Sequence, residues 1–423
     1  MSAATVAVED LKVGMFIQLD GGWLSHPFPL SSFRITSAEQ ITTLRGLGLP
    51  RVRWVPEKSE LAEEGHPATG AQAAADAAAR VAVDRAAEAQ QQRRLELAAQ
   101  REAAQRCERQ HAEAALVWRE ASDAVGARPQ EAGRTTEQLT RAILDKMMCN
   151  CEIGIRLVAG GGDRAAAHAL NVSVISLLIA RTLGLPGQEL LDLGVGALMH
   201  DVGKGEVADR FRHAEDGFSA SEVNAYRDHV AKGVGVGRRM GLSEGALKVL
   251  SQHHESADGS GFPHKLAGER IHMAARVVAL VNRYDNLCNP QARTLPLTPH
   301  EAVSVLFAQG RQRFDSAVLN AFIRMMGVYP AGSLVQLTDD RFAMVVGVNS
   351  SRPLKPRVLV HDAKVPRSEA LVLDLERVHD LGIRRSLPAA KLPPAAVEYL
   401  DPRPRVSYYF EPLSLSSSEE LAA

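Results

Sequence analysis

Apolar and polar positions alternate in short runs over the first 55 residues. Met15-Phe16-Ile17-Gln18-Leu19 closes at Asp20-Gly21-Gly22, and Val52-Arg53-Trp54-Val55 alternates up to Pro56, the period of half-buried strands stopped by turn formers. Between them Ser37-Ala38-Glu39-Gln40 reads as a capping box, with Ile41, Leu44 and Leu47 at helical spacing behind it. Residues 1–62 are therefore expected to form a small α/β domain. From Ala71 to Val125 Gly and Pro are absent and Ala, Arg, Gln and Glu dominate, which predicts one helix of up to ~80 Å at about 1.5 Å per residue. This linker, residues 63–135, is either a coiled-coil arm that makes a homodimer or signals to a partner protein, or a solvated spacer; Ala at most inward positions makes weak knobs.

A second helical stretch is expected from Thr136 to Leu157, ending at Gly160-Gly161-Gly162, and the 3.6-residue period continues to about Gly327. Ala169 to Leu183 is apolar on nearly every side, as in a helix buried within a bundle. Beyond Tyr329-Pro330 the period shortens to two in Leu334–Leu337, Phe342–Val346, Arg357–Val360 and Leu371–Leu373. The expected order is an all-α core over residues 136–330, a β-rich extension over 331–400, and a Pro-rich, then Ser/Glu-rich mobile tail over 401–423. The fold class is mainly α.

A chain of 423 residues is long enough for two or three cores. Lys and Arg total 49 against 50 for Asp and Glu, so nothing marks a nucleic-acid binder, and a small ligand or protein partner fits better. The four cysteines lack the spacing of a disulfide framework. No basic stretch precedes an apolar core at the N-terminus, and no window of about 18 uninterrupted apolar residues occurs, so we expect no membrane span and a cytoplasmic location.

Candidate chemistry is concentrated in the α-helical core. His168, His200-Asp201, His229 and His253-His254 fall at the ends or middles of expected buried helices, followed by Glu255 and Asp258-Gly259-Ser260-Gly261-Phe262-Pro263. A lone histidine on an apolar helix is more often a hydrogen-bonded core residue than a ligand. Five of them beside an aspartate point instead to first-row transition metals, whose usual ligands are neutral imidazole and carboxylate. An adjacent His and Asp on one helix point about 100° apart, so Asp201 serves the cluster best by bridging two ions. His229 follows a strong helix start, with Ser219 as N-cap and Glu222 three residues on.

The segment His200-Asp201-Val202-Gly203-Lys204, the spacing to His229, and His253-His254-Glu255 with Gly261-Phe262-Pro263 resemble the HD-GYP family of HD-domain metal phosphohydrolases over about residues 140–330. Residues 5–60 are similar, more loosely, to the small domain that precedes HD-GYP domains in some bacterial proteins. The resemblance implies an all-α domain holding two or three iron or manganese ions that hydrolyses cyclic di-GMP to pGpG or GMP. It implies His168, His200, Asp201, His229, His253 and His254 as ligands, and Lys204 as the cation that neutralises a phosphate oxygen. Gly261 and Phe262 would line the substrate site. The chain departs from the family pattern at several positions. Asn282 stands at a usual carboxylate ligand position, with Asp285 three residues on as an alternative ligand. Arg164 replaces the glutamate of three-metal members, so a two-ion centre is expected. Phe262 replaces the GYP tyrosine, and Pro290-Gln291-Ala292-Arg293 replaces an Arg-Pro-Tyr segment, leaving Arg293 as a candidate phosphate or base contact. These departures leave a second reading open, a catalytically weak protein that binds the nucleotide or a partner and signals.

Overall fold

The computed structural model describes residues 4–19, 26, 28, 30–60, 70–148, 151–159, 162–213, 217–291, 294–349, 352–378 and 380–413. Contacts divide the chain into two units, residues 1–101 with 362–371, and residues 102–361 with 372–423.

The first unit contains a four-stranded antiparallel sheet. Strands β1 (Ala4–Ala7), β2 (Phe16–Gln18), β3 (Ser32–Arg34) and β4 (Arg51–Trp54) lie in the order β1-β4-β2-β3. Helix α1 (Ala38–Gly46) starts as its sequence dictates: the Ser37 hydroxyl accepts from the Gln40 amide, and the Gln40 side chain accepts from Thr36 N rather than from the cap residue itself. Ile17, Ile35, Leu44 and Val52 are buried between sheet and helix. Helix α2 (Gly70–Ala124) is the long Ala-rich stretch, and only its C-terminal part belongs to the second unit.

In the second unit helices α3 (Pro129–Met147), α4 (Arg164–Thr182), α5 (Gly187–Met199), α6 (Ala220–Met240), α7 (Glu244–Gln252), α8 (Met273–Cys288), α9 (Pro299–Arg313) and α10 (Ser316–Met326) form the bundle. Helix α4 lies at its centre: Leu170, Val172, Val174, Ile175 and Leu177 are inaccessible to solvent. By length and composition α4 could cross a membrane, yet its apolar surface is consumed by the bundle.

The expected helix from Thr136 to Leu157 is instead two elements. Helix α3 stops at Met147, and Glu152–Val158 forms strand β5, in which Ile153, Ile155 and Val158 are buried. The β-branched residues at period two win over the helical period read across the junction. Strand β5 joins β6 (Leu334–Leu337), β7 (Phe342–Asn349), β8 (Arg357–Val360), β9 (Val372–Asp374), β10 (Ile383–Ser386) and β11 (Ser407–Leu413) in one sheet, with path β10-β6-β7-β5-β11. A short helix α11 (Pro394–Leu400) precedes β11. The tail expected to be mobile from residue 401 thus supplies β11, paired antiparallel to β5 from Ser407↔Val158 to Leu413↔Glu152. Tyr408, Tyr409 and Phe410 are buried in the core of the unit, enough apolar area to fix the strand.

Candidate metal centre

His168 lies in the second turn of α4, which Asp163 caps by accepting from the amides of Ala165 and Ala166. His200 ends α5, and Asp201 leaves the helix at φ −97° and ψ 7° before a 3₁₀ turn, Val202–Glu206. His229 is carried by α6, whose start has the full capping box of Ser219 and Glu222. His253 terminates α7, and His254 follows it.

These residues converge on one carboxylate. Asp201 Oδ2 lies 3.5 Å from His200 Nε2, 3.8 Å from His168 Nε2 and 2.6 Å from Lys204 Nζ. Its Oδ1 lies 3.7 Å from His229 Nε2 and 3.9 Å from His253 Nε2. Candidate ligand atoms of His168, His200 and Asp201 lie within 4.8 Å of one another, as do those of Asp201, His229, His253 and His254. One aspartate therefore joins two groups of donors.

The far nitrogen of four of the rings is already committed. Nδ1 of His200, His229 and His253 lies 2.7, 2.6 and 2.9 Å from the carbonyls of Ala197, Tyr226 and Leu250, and Nδ1 of His168 lies 2.6 Å from Asp285 Oδ2. A proton on Nδ1 leaves the Nε2 lone pair pointing inward, the tautomer a metal requires. Among the described residues, buried Nε2 of His229, His253 and His254 and Oδ1 of Asp201 have no hydrogen-bond partner. His168 Nε2 and His200 Nε2 face each other at 3.2 Å, and with the proton of each ring on Nδ1 they are two acceptors facing one another. Each unsatisfied buried acceptor costs about 1–3 kcal/mol, a penalty that divalent cations among the nitrogens and carboxylate oxygens would remove. The residues present fit such ions.

Electrostatics favours the ligating forms. Burial lowers His200 to about 4 and lowers His229 as well; it holds His253 and His254 well below the ordinary histidine range, with help from neighbouring imidazoles. Burial alone would raise Asp201, but Lys204 and then the surrounding rings outweigh it and keep the carboxylate ionised.

The His253 and His254 end of the cluster opens on a cavity of about 520 Å³, and the His168 and His200 end on another of about 580 Å³; Lys204 and His213 line both. Gly261 and Phe262 line the first cavity. A Cβ on Gly261 would stand 2.4 Å from Ser256 N and 2.6 Å from the His254 carbonyl, so only glycine allows this loop to fold back on the histidines. The Phe262 ring stacks on His254 at 4.5 Å, packing the loop where the family has tyrosine. Asn282 is buried on the wall of the same cavity, its Oδ1 accepting from Asn286 Nδ2 at 2.6 Å. Arg164 lines the second cavity beside His168. Arg293 lies outside the described residues.

Several participants escaped sequence reading. Asp285, considered there as an alternative ligand, holds His168 instead, and its other oxygen accepts from Asn171 Nδ2 at 2.7 Å and Asn289 Nδ2 at 2.9 Å. The available signal was the i, i+4 pair of Asp285 on α8 and Asn289 at its C-cap. Tyr226 packs its ring 4.9 Å from His229, and burial raises its phenol. Arg283 and Arg313 line the first cavity, and burial followed by the neighbouring Arg313 lowers Arg283. No periodicity announces either.

Residues 144–318 match the model of the HD domain, and residues 4–135 match a domain of unknown function, DUF3391. The chain therefore carries an HD domain over residues 144–318. This HD-domain protein is 29% identical over 384 residues to cyclic di-GMP phosphodiesterase PA4108 of Pseudomonas aeruginosa, covering 88% of the chain and 89% of that protein. It is 31% identical over 162 residues to the cyclic di-GMP phosphodiesterase response regulator RpfG of Xanthomonas campestris, covering 38% of the chain and 43% of the relative. It is 28% identical over 159 residues to 3'3'-cGAMP-specific phosphodiesterase 2 of Vibrio cholerae, covering 37% of the chain and 30% of the relative. The likeness to the last two spans less than half of their length, whereas the first spans nearly the whole of both chains.

Proposed function

We propose that this HD-domain protein is a metal-dependent phosphodiesterase that hydrolyses cyclic di-GMP to pGpG or GMP through a centre of two divalent ions, iron or manganese. The observation that carries this reading is the pair of donor groups sharing Asp201, with buried imidazole nitrogens left unpartnered beside an open cavity. His168 and His200 would hold one ion, His229, His253 and His254 the other, and Asp201 both; Asn282 would offer an amide oxygen from the cavity wall. When bound, such ions supply Lewis acidity and a nucleophile at neutral pH. The chain's own residues do the rest. Lys204, fixed 2.6 Å from Asp201 Oδ2, places an ammonium at the metal edge of the cavity, where it neutralises a non-bridging phosphate oxygen as charge develops. The stacked Phe262 and His254 rings give that cavity an aromatic wall beside the centre, a surface suited to a nucleobase. The relation to PA4108 along nearly its whole length supports cyclic di-GMP as substrate.

The test is purified protein loaded with iron(II) or manganese(II), with nucleotide products resolved by chromatography. We expect pGpG or GMP, and a loss of roughly a hundredfold or more in His200→Ala and Asp201→Ala. Absence of turnover with every metal would overturn catalysis. One observation favours a second reading, that of a sensor without turnover: Asn282 has an amide already engaged by Asn286 where the family offers carboxylate. Asn282→Asp separates the two, because only the sensor reading expects it to raise metal content and create activity.

A further inference from the structure

With Lys204 paired to Asp201, the cavity of about 520 Å³ still presents Arg227, Arg283 and Arg313 on its wall. Arg227 lies over the Phe262 ring, 4.9 Å from its centre. Arg283 and Arg313 form no ion pair and no side-chain hydrogen bond with any described residue. The acids around them are spent elsewhere. Glu255, also on the wall, accepts from the amides of His264 at 2.7 Å and Leu266 at 2.9 Å. Asp258, within electrostatic reach of Arg313, accepts from Ser260 N at 2.9 Å and Ser260 Oγ at 2.6 Å.

Both arginines stand at fixed points beside the centre. Arg283 follows Asn282 on α8. Arg313 closes α9, and its carbonyl accepts from Ala257 N at 2.8 Å, which ties it to the loop that follows His254. Two guanidiniums on one wall repel each other, and an anion between them turns that repulsion into attraction. Each presents a planar fork of donors that matches a phosphate, which a single ammonium does not.

We infer that Arg283 and Arg313 form a second anion seat, which takes the phosphodiester of a cyclic dinucleotide that is not at the metal centre. This rests on the phosphodiesterase reading and extends it from one phosphate to two. Esters with a single phosphate engage the centre alone, whereas a ring carrying two phosphodiesters spans centre and seat. The seat selects for the second phosphate and is indifferent to the bases, so cyclic di-GMP and a mixed cyclic dinucleotide use it alike.

The experiment compares wild type, Arg283→Gln and Arg313→Gln by calorimetric binding of cyclic di-GMP, and by turnover of bis(p-nitrophenyl) phosphate, a single phosphodiester, with manganese. Each variant is expected to bind cyclic di-GMP about tenfold more weakly or worse, with turnover of the single phosphodiester kept within about twofold. Unchanged binding in both variants, or an equal loss on both probes, overturns the seat. Wild type that cleaves the single phosphodiester without binding cyclic di-GMP overturns the seat and leaves a metal phosphodiesterase. Binding that the variants weaken, with no cleavage of either probe, keeps the seat and overturns catalysis; neither binding nor cleavage overturns both.

Discussion

At the scale of single residues, the centre is a set of neutral rings assembled at a cost in proton affinity. His200, at about 4, and His253 and His254, lower still than their ordinary range, bind a proton more weakly in the folded protein than in the unfolded chain, where histidine titrates near 6.5. Because the folded pKa is the depressed one, metal-free protein keeps full stability above about pH 6.5 and loses it as the pH falls toward the folded values. Between pH 6.5 and 5 His200 removes about 2 kcal/mol and His253 and His254 act in the same direction, so calorimetric melting of metal-free protein should show Tm falling across that window. Replacing the three histidines together with asparagine should flatten it, and a profile as steep as wild type would refute the assignment. The clustering of the histidines was legible in the sequence because motif spacing and helix ends coincide there. Asp285 was harder to read: whether a carboxylate three residues from a ligand position binds a metal or orients His168 depends on tertiary distances, here 2.6 Å to His168 Nδ1. Asp285→Asn should weaken metal binding roughly 10- to 100-fold by a chelator titration, leaving the ligands themselves intact.

At the scale of elements, the centre depends on helices that approach each other closely. A Cβ on Gly203 would stand 2.0 Å from the His229 carbonyl and 2.4 Å from Gly233 N, so the turn that carries Asp201 and Lys204 rests directly on α6. Gly203→Ala must separate the two, and with them the two groups of donors that Asp201 joins. We expect a loss of about 1–3 kcal/mol in stability together with lower bound metal by elemental analysis; a variant with normal metal content would show that the approach is not needed. Helix starts such as Ser219 with Glu222 were legible because a cap is local chemistry. Strands β5 and β11 were not. Each finds its hydrogen bonds in a partner some 250 residues away in the chain, as the 255-residue separation of the Arg156 and Glu411 ion pair illustrates, and no local pattern reports such pairing.

At the scale of the second unit, β11 is wired to the candidate metal centre. The backbone of Val406 and Tyr408 is held by two asparagines: Asn171 Oδ1 accepts from Tyr408 N at 2.8 Å, and Asn289 Oδ1 accepts from Val406 N at 3.0 Å. Both also donate to the Val406 carbonyl and to Asp285 Oδ1, and Asp285 in turn orients His168. The C-terminal strand therefore completes the support of one donor group from outside the helical bundle. The same strand is anchored separately by Glu411, buried against Arg156 at 2.6 Å and paired with Arg357. These two attachments make distinct predictions. Glu411→Gln leaves two arginines without their charge partner and should destabilise the unit by about 3–5 kcal/mol, with little change in metal affinity per folded molecule. Asn171→Ala should cost less stability, about 1–3 kcal/mol, yet weaken metal binding by roughly tenfold or more, because Asp285 and His168 lose their alignment. Melting curves and chelator titrations on the two variants distinguish the roles. If both variants lost metal in proportion to stability alone, β11 would serve only to hold the unit together.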